Sequence, residues 1–280
     1  MLISKQVKNS ILSYSTRIVL LIIFQVIYSH ITKAQCNNKI LSFKDGEKLT
    51  YNVYYKLGFV KIKLADVMLW VEETTYHSKS VFLLQNKSIT VPQYAWIIKA
   101  NNYYASYIDK NTMEVERHIQ KTLVNDYSTN YEYRFDHQRK KLYVSIENSK
   151  TKRYLDTLSL TSCVHDLLSS AYYPRNIDYK KIAVNEKIHL PVILDTNFHN
   201  VYYKYMGNEF IDTKNKKQLN CIKIAPLLVK TAIYSAGEKM TVWLSNDKNK
   251  VPVLMESELR VGEISVQIID YKGLQYPAVY

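Results

Sequence analysis

The run MTVWLSNDKNKVPVLMESELRVGEISVQIIDY, residues 240–271, has the most regular hydrophobic pattern in the chain and predicts three antiparallel strands. Apolar residues take alternate positions on either side of the polar turn at residues 245–250, and again after Gly262. Alternation with a period of two puts apolar side chains on one face of a sheet and polar side chains on the other. The run therefore predicts a sheet with one face on a core and one face in water.

The same period of two continues through most of the chain. It predicts further strands near residues 49–55, 60–71, 81–91, 103–108, 113–119, 131–135, 142–146, 187–194, 201–206, 219–225 and 228–234. The second of these is expected to run long or to bend near Ala65 and Asp66. Because no Pro, Gly or Ser-rich linker and no fixed repeat divides the chain, residues 35–280 are predicted to form a single β-rich domain.

One segment, residues 162–174, has helical spacing instead. The residues that share one helix face are Val164, Leu167, Leu168, Ala171 and Tyr172. Thr161 or Ser162 can cap this helix, Asp166 suits its positive N-terminal end, and Pro174 ends it. A single amphipathic helix in a β protein most simply covers an open sheet edge or plugs the mouth of a curved sheet. The predicted fold is mainly β, a strongly curved antiparallel sheet or incomplete barrel with one central amphipathic helix.

Residues 1–34 resemble a secretory signal. Lys5, Lys8 and Arg17 precede the apolar run at residues 18–28, and small residues stand three and one positions before a cut after Ala34. The run is shorter than the roughly 20 residues that cross a bilayer, which favours cleavage over the alternative of a retained anchor. The prediction is an exported protein of the periplasm or cell envelope, cleaved near Ala34.

The charge of the chain is basic. The formal net charge is +13, and without the four cations and no acids of residues 1–34 it is +9. Such a charge attracts anionic lipid head groups or acidic polysaccharide, whereas the export signal argues against nucleic acid. The alternative is that basic runs such as residues 139–141 and 214–217 are solvated turn tips.

The three cysteines, Cys36, Cys163 and Cys221, allow a Cys163–Cys221 bridge with Cys36 free, but the sequence alone does not choose among the pairings, and three buried or unpaired thiols are the alternative. Cys163 also stands beside His165 and Asp166 at the helix start, where a thiolate would be stabilised. Residues two apart on a helix do not face each other, which weakens this pair as a nucleophile and base.

No other reaction motif is present. The histidines lack metal-ligand spacing, and the chain has no Gly-rich phosphate loop and no Gly-x-Ser-x-Gly elbow. The sequence therefore predicts no metal, no cofactor and no catalytic residue. Arg175 and Asp247 are interpreted as a structural ion pair or a turn cap.

Tyrosine is abundant, with 25 residues, and clusters at residues 51–55, 103–107 and 202–205. A tyrosine ring has an apolar face and a polar tip, which suits a groove for a sugar or acyl chain, although tyrosine also simply packs well in strands. The candidate ligand-binding residues are Tyr51, Tyr55, Trp70, Tyr172, Tyr173, Arg175 and Trp243.

Three segments, GEKLTYNVYY at residues 46–55, DLLSSAYYPR at 166–175 and VWLSND at 242–247, together resemble a family of exported bacterial proteins that is classed as a domain of unknown function. The resemblance spans nearly the whole mature chain. It implies a strongly curved sheet or incomplete barrel with a packed helix, similar to envelope lipoproteins associated with capsule export. The chain departs from the family pattern at Lys63, where glycine is usual, and at Pro174, where an aliphatic residue is usual. The family implies no agreed activity.

The resulting functional hypothesis is a non-catalytic periplasmic envelope protein whose concave sheet binds a lipid, a glycan or a protein segment, with peripheral contact to anionic membrane. One alternative is a hydrolase of an envelope polymer, with its site at the helix end around Cys163, His165, Asp166 and Arg175. The other alternative is a structural or protein-interaction module.

Overall fold

A computed structural model describes residues 41–161, 163–212, 218–230 and 236–278 of the chain. The predicted signal segment, its cleavage site near Ala34 and Cys36 lie outside the described residues. The described residues belong to one compact unit.

Fourteen strands of the described residues form one antiparallel sheet. Their bounds are β1 Lys48–Leu57, β2 Val60–Tyr76, β3 Lys79–Thr90, β4 Ala100–Asp109, β5 Val115–Val124, β6 Tyr127–Asp136, β7 Lys141–Asn148, β8 Tyr154–Ser159, β9 Lys187–Leu194, β10 Asn197–Asp212, β11 Gln218–Pro226, β12 Met240–Ser245, β13 Pro252–Glu258 and β14 Glu263–Lys272. The predicted mainly β fold is confirmed.

The strand order in the sheet is β8-β7-β6-β5-β4-β3-β2-β1-β14-β13-β12-β11-β10-β9. Every strand pairs with its neighbour in sequence, except that β1 pairs with β14 and β8 does not pair with β9. The first and last strands therefore meet in the middle of the sheet, and its two free edges are β8 and β9. The chain between these edges, residues 160–186, holds the helix.

The sheet curls strongly enough to bring its two halves together without closing. Ile193 of β9 belongs to the same buried cluster as Phe135 of β6 and Leu142 of β7. The Tyr133 hydroxyl of β6 donates a hydrogen bond to the Asp195 carbonyl, just past β9, at 3.0 Å. This is the incomplete barrel that the sequence predicts.

The single α-helix among the described residues, α1, spans Leu167–Tyr172 and continues into a 3₁₀ turn at Tyr173–Asn176; further 3₁₀ turns lie at Pro92–Tyr94 and Tyr179–Lys181. Its N-cap is Asp166, so the caps predicted at Thr161 and Ser162 are wrong. The helix starts later than predicted because His165 pairs with β9 instead: its N–H donates to the Pro191 carbonyl and its carbonyl accepts from the Ile193 N–H, both at 2.9 Å. The segment thus covers the free edge of β9, and the helix ends beside Pro174, as predicted.

Two other strand predictions need correction. The strand β8 was not predicted, and the strand predicted at residues 228–234 does not form among its described residues, where Leu228 makes only an isolated bridge to Gly237. The second strand is both long and irregular, with 17 residues and a register shift opposite Val53 and Tyr54.

The cysteines differ from both predicted arrangements. Cys163 takes part in a disulfide, whereas Cys221 is a free, buried thiol. A Cys163–Cys221 bridge and a set of three unpaired thiols are therefore both wrong. Burial raises the pKa of the Cys221 thiol to about 12, so this thiol stays protonated and unreactive at neutral pH.

Candidate functional site

The first candidate site is the helix end, where Asp166 binds a serine and a histidine from the inner face of the sheet. The Ser106 hydroxyl of β4 donates to Asp166 Oδ1 at 2.7 Å, and His118 Nδ1 of β5 lies 3.0 Å from the same oxygen. All three side chains are fully buried. Burial would raise the pKa of Asp166, but His118 and the hydrogen bonds from Ser169 and Ser106 outweigh it and hold that pKa well below its usual range.

This Ser–His–Asp group does not have the geometry of a hydrolytic triad. Ser106 Oγ lies 2.9 Å from His118 Nδ1, the nitrogen that also faces Asp166. Because the serine proton is given to Asp166, Nδ1 must carry its own proton and cannot accept one from Ser106. In a triad, the serine and the aspartate face opposite nitrogens of the imidazole. The group therefore cross-links β4, β5 and α1.

His165 lies on the other side of the same helix start. Its Nδ1 is 3.3 Å from Ser169 Oγ, and its ring packs edge-on against Tyr173. Burial lowers the pKa of His165 to about 4, so the ring is neutral at physiological pH. With Cys163 in a disulfide, the helix end offers neither a thiolate nor an exposed base.

The second polar group is a buried ion pair between Arg175 and Glu47. Arg175 Nη1 and Nη2 donate to the two Glu47 carboxylate oxygens at 2.6 and 2.8 Å. The guanidinium also donates to the Ser42 carbonyl at 2.8 Å and to the Asn249 carbonyl at 3.1 Å. Burial would lower the pKa of Arg175, but the Glu47 carboxylate raises it, so the pair stays ionised. Its partner is Glu47 and not Asp247.

Asp247 caps the β12–β13 turn. Its Oδ1 accepts hydrogen bonds from the N–H groups of Asn249 and Lys250 at 2.9 and 3.0 Å. The turn-cap interpretation of Asp247 is thus confirmed, and the Asn249 side chain in turn binds the C-terminal tail at Tyr276. The three sequence segments singled out above, around Glu47, Arg175 and Asp247, therefore meet at one buried cluster of hydrogen bonds.

A small cavity lies beside α1 on the inner side of the curled sheet. The enclosed cavity beside α1 has a volume of about 20 Å³ and is lined by Phe43, Ile108, Met113, His165, Ser169, Tyr172, Tyr173 and Asn176. That volume holds about one water molecule. No space for an acyl chain or a sugar ring is present at this place.

The third candidate is a shallow groove on the outer face of β3–β6. Its volume is about 410 Å³, within the range of ligand sites. The groove is lined by Lys87, Asn101, Tyr103, Lys121, Thr122, Leu123, Ser128 and Asn130. Lys87, Tyr103 and Lys121 are in register and point outward, because the neighbouring positions Asn86 and Tyr104 point to the core side. Among the lining residues, Thr122 lies at a core-side position of β5.

The groove is basic and its tyrosine is held in place. The Tyr103 hydroxyl donates to Gln85 Oε1 at 2.7 Å, and Gln85 Nε2 donates to Glu72 at 2.8 Å. The nearby ion pairs join Arg117 to Glu132 and Lys79 to Glu116, and among the described residues Lys87 and Lys121 take part in none. The groove thus presents two unpaired cations, amide groups and an oriented ring.

The sequence was compared with known families and structures. The family model described as "Protein of unknown function (DUF3108)" matches residues 50–269, from β1 to β14. The chain belongs to this family. No curated protein matches it in sequence.

One similar solved structure is a beta-barrel-like protein of domain of unknown function DUF1849 from Brucella abortus, with 9% identity and a TM-score of 0.51. The match covers 81% of this chain and 96% of that one. At this identity the likeness concerns the fold alone, and the likeness of this DUF3108 chain to capsule-associated lipoproteins stays a prediction.

The structure separates the predicted ligand-binding residues. Tyr51, Tyr172 and Arg175 are buried in the core, and Trp243 is buried with its indole N–H donating to Glu209 at 3.1 Å. The others are partly exposed. Tyr55 lies at the β13–β14 turn, Tyr173 stacks beside Tyr203, and Trp70 lies next to Tyr103 at the groove, with ring centroids 6.4 Å apart.

Sequence reasoning missed most of the groove. Tyr103 stood in a noted tyrosine cluster, but Lys87, Asn101, Lys121 and Asn130 were not considered. The signal that could have found them is a polar outward position on each of four successive strands. Using that signal requires the strand register, because the four residues lie on four different strands, β3 to β6.

Among the described residues, no group of three or more His, Cys, Asp or Glu side chains could hold a metal ion. A search of the same part of the chain finds no helix long and apolar enough to cross a membrane.

Proposed function

We propose that the protein is an exported, non-catalytic envelope protein that binds a segment of anionic glycan in the groove on the outer face of β3–β6. The observation that carries the proposal is the lining of the groove: Lys87 and Lys121 without acidic partners, beside the amides of Asn101 and Asn130 and the ring of Tyr103. Lysines attract carboxylates, amides bind hydroxyl groups, and an aromatic face packs on a sugar ring. Together they match an acidic polysaccharide.

The small size of the cavity beside α1 supports a glycan over a lipid as the ligand. An acyl chain requires a deep apolar cavity, and the enclosed cavity beside α1 has only about 20 Å³. The proposed ligand position therefore moves from the concave side of the sheet, as first expected, to its outer face. A glycan does not need to be enclosed, because its hydroxyl groups remain partly hydrated when it binds.

The enclosure of the helix end supports binding over hydrolysis. A hydrolase needs a nucleophile or an activated water that its substrate can reach. Ser106, His118 and Asp166 are fully buried, and both Ser106 and Asp166 face the same imidazole nitrogen. These contacts are consistent with a structural role for the group.

The test is titration calorimetry with two hexasaccharides, one of uronic acid residues and one of glucose. The uronic acid hexamer should bind, and binding should weaken in 0.5 M NaCl because exposed charges are screened. The double variant Lys87→Gln/Lys121→Gln should bind it about tenfold or more weakly. The control variant Lys140→Gln/Lys141→Gln removes the same charge from exposed residues where the β6–β7 turn meets β7, and should bind normally.

Equal weakening in both double variants would show that only the net charge matters and would contradict a groove site. Product analysis of the same mixtures addresses the rival enzyme. Shorter oligosaccharides appearing with time would favour the envelope-polymer hydrolase over the binder.

A further inference from the structure

The turns at one end of the strands carry exposed apolar side chains. In an antiparallel meander the β1–β2, β3–β4 and β13–β14 turns lie at the same end of the strands. We call residues 57–60, 96–97 and 261 in these turns the apolar rim. Phe59 is 103% exposed, Trp96 81% and Val261 64%, and Leu57, Val60 and Ile97 are more than half exposed.

The hairpin turns at the opposite end of the strands lack such side chains. The hairpin connections at residues 77–78, 110–114, 137–140 and 246–251 contain none of the large hydrophobic side chains that are exposed in the described part of the chain, and the much longer β8–β9 connection at that end has two, Leu167 and Val184. Exposed hydrophobic residues scattered singly need no explanation, whereas six in three turns at one end of the strands indicate an interaction surface. The hairpin turns at the two ends of the strands therefore differ in chemistry.

The backbone holds the apolar rim in a projecting position. The β1–β2 connection has only two residues, Gly58 and Phe59, and Gly58 has φ +59°. A tight hairpin turn of this kind leaves its second residue pointing away from the strands. The Tyr55 hydroxyl donates to the Val261 carbonyl at 3.2 Å, which joins this hairpin to the β13–β14 turn. The two tips are thus presented as one surface.

The apolar rim is flanked by positive charge. Residues 56–66, 96–99 and 259–263 contain five cations, Lys56, Lys61, Lys63, Lys99 and Arg260, and two acids, Asp66 and Glu263. Lys56 pairs with Glu263 at 3.2 Å and Lys63 with Asp66 at 2.7 Å, whereas Lys61 and Lys99 take part in no ion pair among the described residues. These segments therefore carry more positive than negative charge. Long basic side chains beside apolar ones suit the boundary between lipid head groups and acyl chains.

We propose that the apolar rim docks the protein on an anionic lipid bilayer, with Phe59 and Trp96 entering the interfacial layer and the flanking lysines contacting the head groups. An apolar patch alone would equally fit another protein. The ring of cations around it selects a negatively charged surface, and aromatic side chains are suited to the interfacial layer. This inference rests on the turns and not on the groove, so it stands or falls separately from glycan binding.

The test is flotation of the exported full-length protein with vesicles of phosphatidylcholine containing 30% phosphatidylglycerol. Phe59→Ser should lower the bound fraction about tenfold. Its matched control is Phe210→Ser, a 64% exposed phenylalanine on β10, which should bind as the unchanged protein does. Both variants share the same N-terminus, so any contribution from residues 1–34 cancels, and equal melting temperatures show that both are folded.

A second measurement locates the contact. Vesicles should shift the tryptophan emission to shorter wavelength. Trp96→Phe should abolish the shift, because Trp243 is already buried and Trp70 lies beside Tyr103 at the groove rather than at the apolar rim. Binding should disappear with pure phosphatidylcholine and in 0.5 M NaCl. Equal flotation of Phe59→Ser and the unchanged protein would overturn the proposal. So would a loss of self-association in Phe59→Ser without lipid, which would assign the rim to a second copy of the chain.

Discussion

Replacing Arg175 with methionine tests whether the buried ion pair between Arg175 and Glu47 stabilises the fold. The substitution keeps a long side chain against Phe43 and Tyr172, whose rings lie 5.6 and 5.4 Å from the guanidinium carbon. It removes the charge and all four hydrogen bonds. The Glu47 carboxylate is then buried without a cation, and the carbonyls of Ser42 and Asn249 lose a donor.

The expected loss in the free energy of unfolding is about 4 kcal/mol, because leaving one member of a buried ion pair alone costs roughly 3 to 5 kcal/mol. Glu47→Leu should cost about 3 kcal/mol for the same reason. In the double variant no buried charge remains, and two unpaired carbonyls at about 1 kcal/mol each leave a loss of about 2 kcal/mol. Adding Glu47→Leu to Arg175→Met should therefore restore stability.

The assay is equilibrium unfolding in urea, followed by circular dichroism and fluorescence at pH 7. The control is Lys239→Met, which breaks the exposed Lys239–Glu258 pair and should cost less than about 1 kcal/mol. The reasoning fails if the double variant is less stable than Arg175→Met, or if Arg175→Met costs no more than the surface control.

Two further substitutions and one chemical modification test separate parts of the fold. Between pH 6.5 and 4 only the unfolded chain takes up a proton at His165, so the free energy of unfolding falls by about 3 kcal/mol as the pH is lowered. His165→Gln should remove this loss, and urea unfolding at pH 7 and 4.5 measures it. Gly273→Ala should lower the melting temperature more than Gly58→Ala, because both glycines have positive φ but only at Gly273 would an added Cβ collide with backbone, at the Gly46 carbonyl. Peptide mapping after iodoacetamide treatment should find Cys221 unmodified in the folded protein and modified in 8 M urea.

The strand pattern made the architecture predictable to a large extent. In β12–β14 alternation with a period of two marks both the strands and their faces, because one face is buried and the other is wet. The alternation did not predict β8, because this strand lies at a free edge of the sheet. Its Leu155 is exposed while Asp156 shares the inner-face register with buried Val144, so the apolar alternation is lost.

The helix was predictable in its C-terminal half only. Val164 continues the helical spacing of Leu167 and Leu168, yet the residue between them in the chain, His165, pairs with the edge of β9. A tertiary contact with a free strand edge therefore overrides local periodicity. Asp166, which was assigned to the positive end of the helix, becomes its cap and the centre of a buried polar group.

The candidate sites depend on contacts that the sequence does not encode locally. Arg175 meets Glu47 across 128 residues, so the interpretation of Arg175 and Asp247 as an ion pair named the wrong partner. Lys87 and Lys121 share one groove because two strand registers bring β3 and β5 to the two sides of β4. The tyrosines fit both interpretations, packing and ligand binding. Tyr51 and Tyr172 pack in the core, whereas Tyr103 faces the groove.

The central proposal is most directly tested by lysine acetylation footprinting of the protein with and without the uronic acid hexasaccharide, read by peptide mass spectrometry. Lys87 and Lys121 should be protected by the oligosaccharide. Lys61 beside the apolar rim and Lys248 in the β12–β13 turn should react equally in both samples. Uniform protection of all four lysines, or protection that spares Lys87 and Lys121, would contradict a glycan site in the groove of β3–β6.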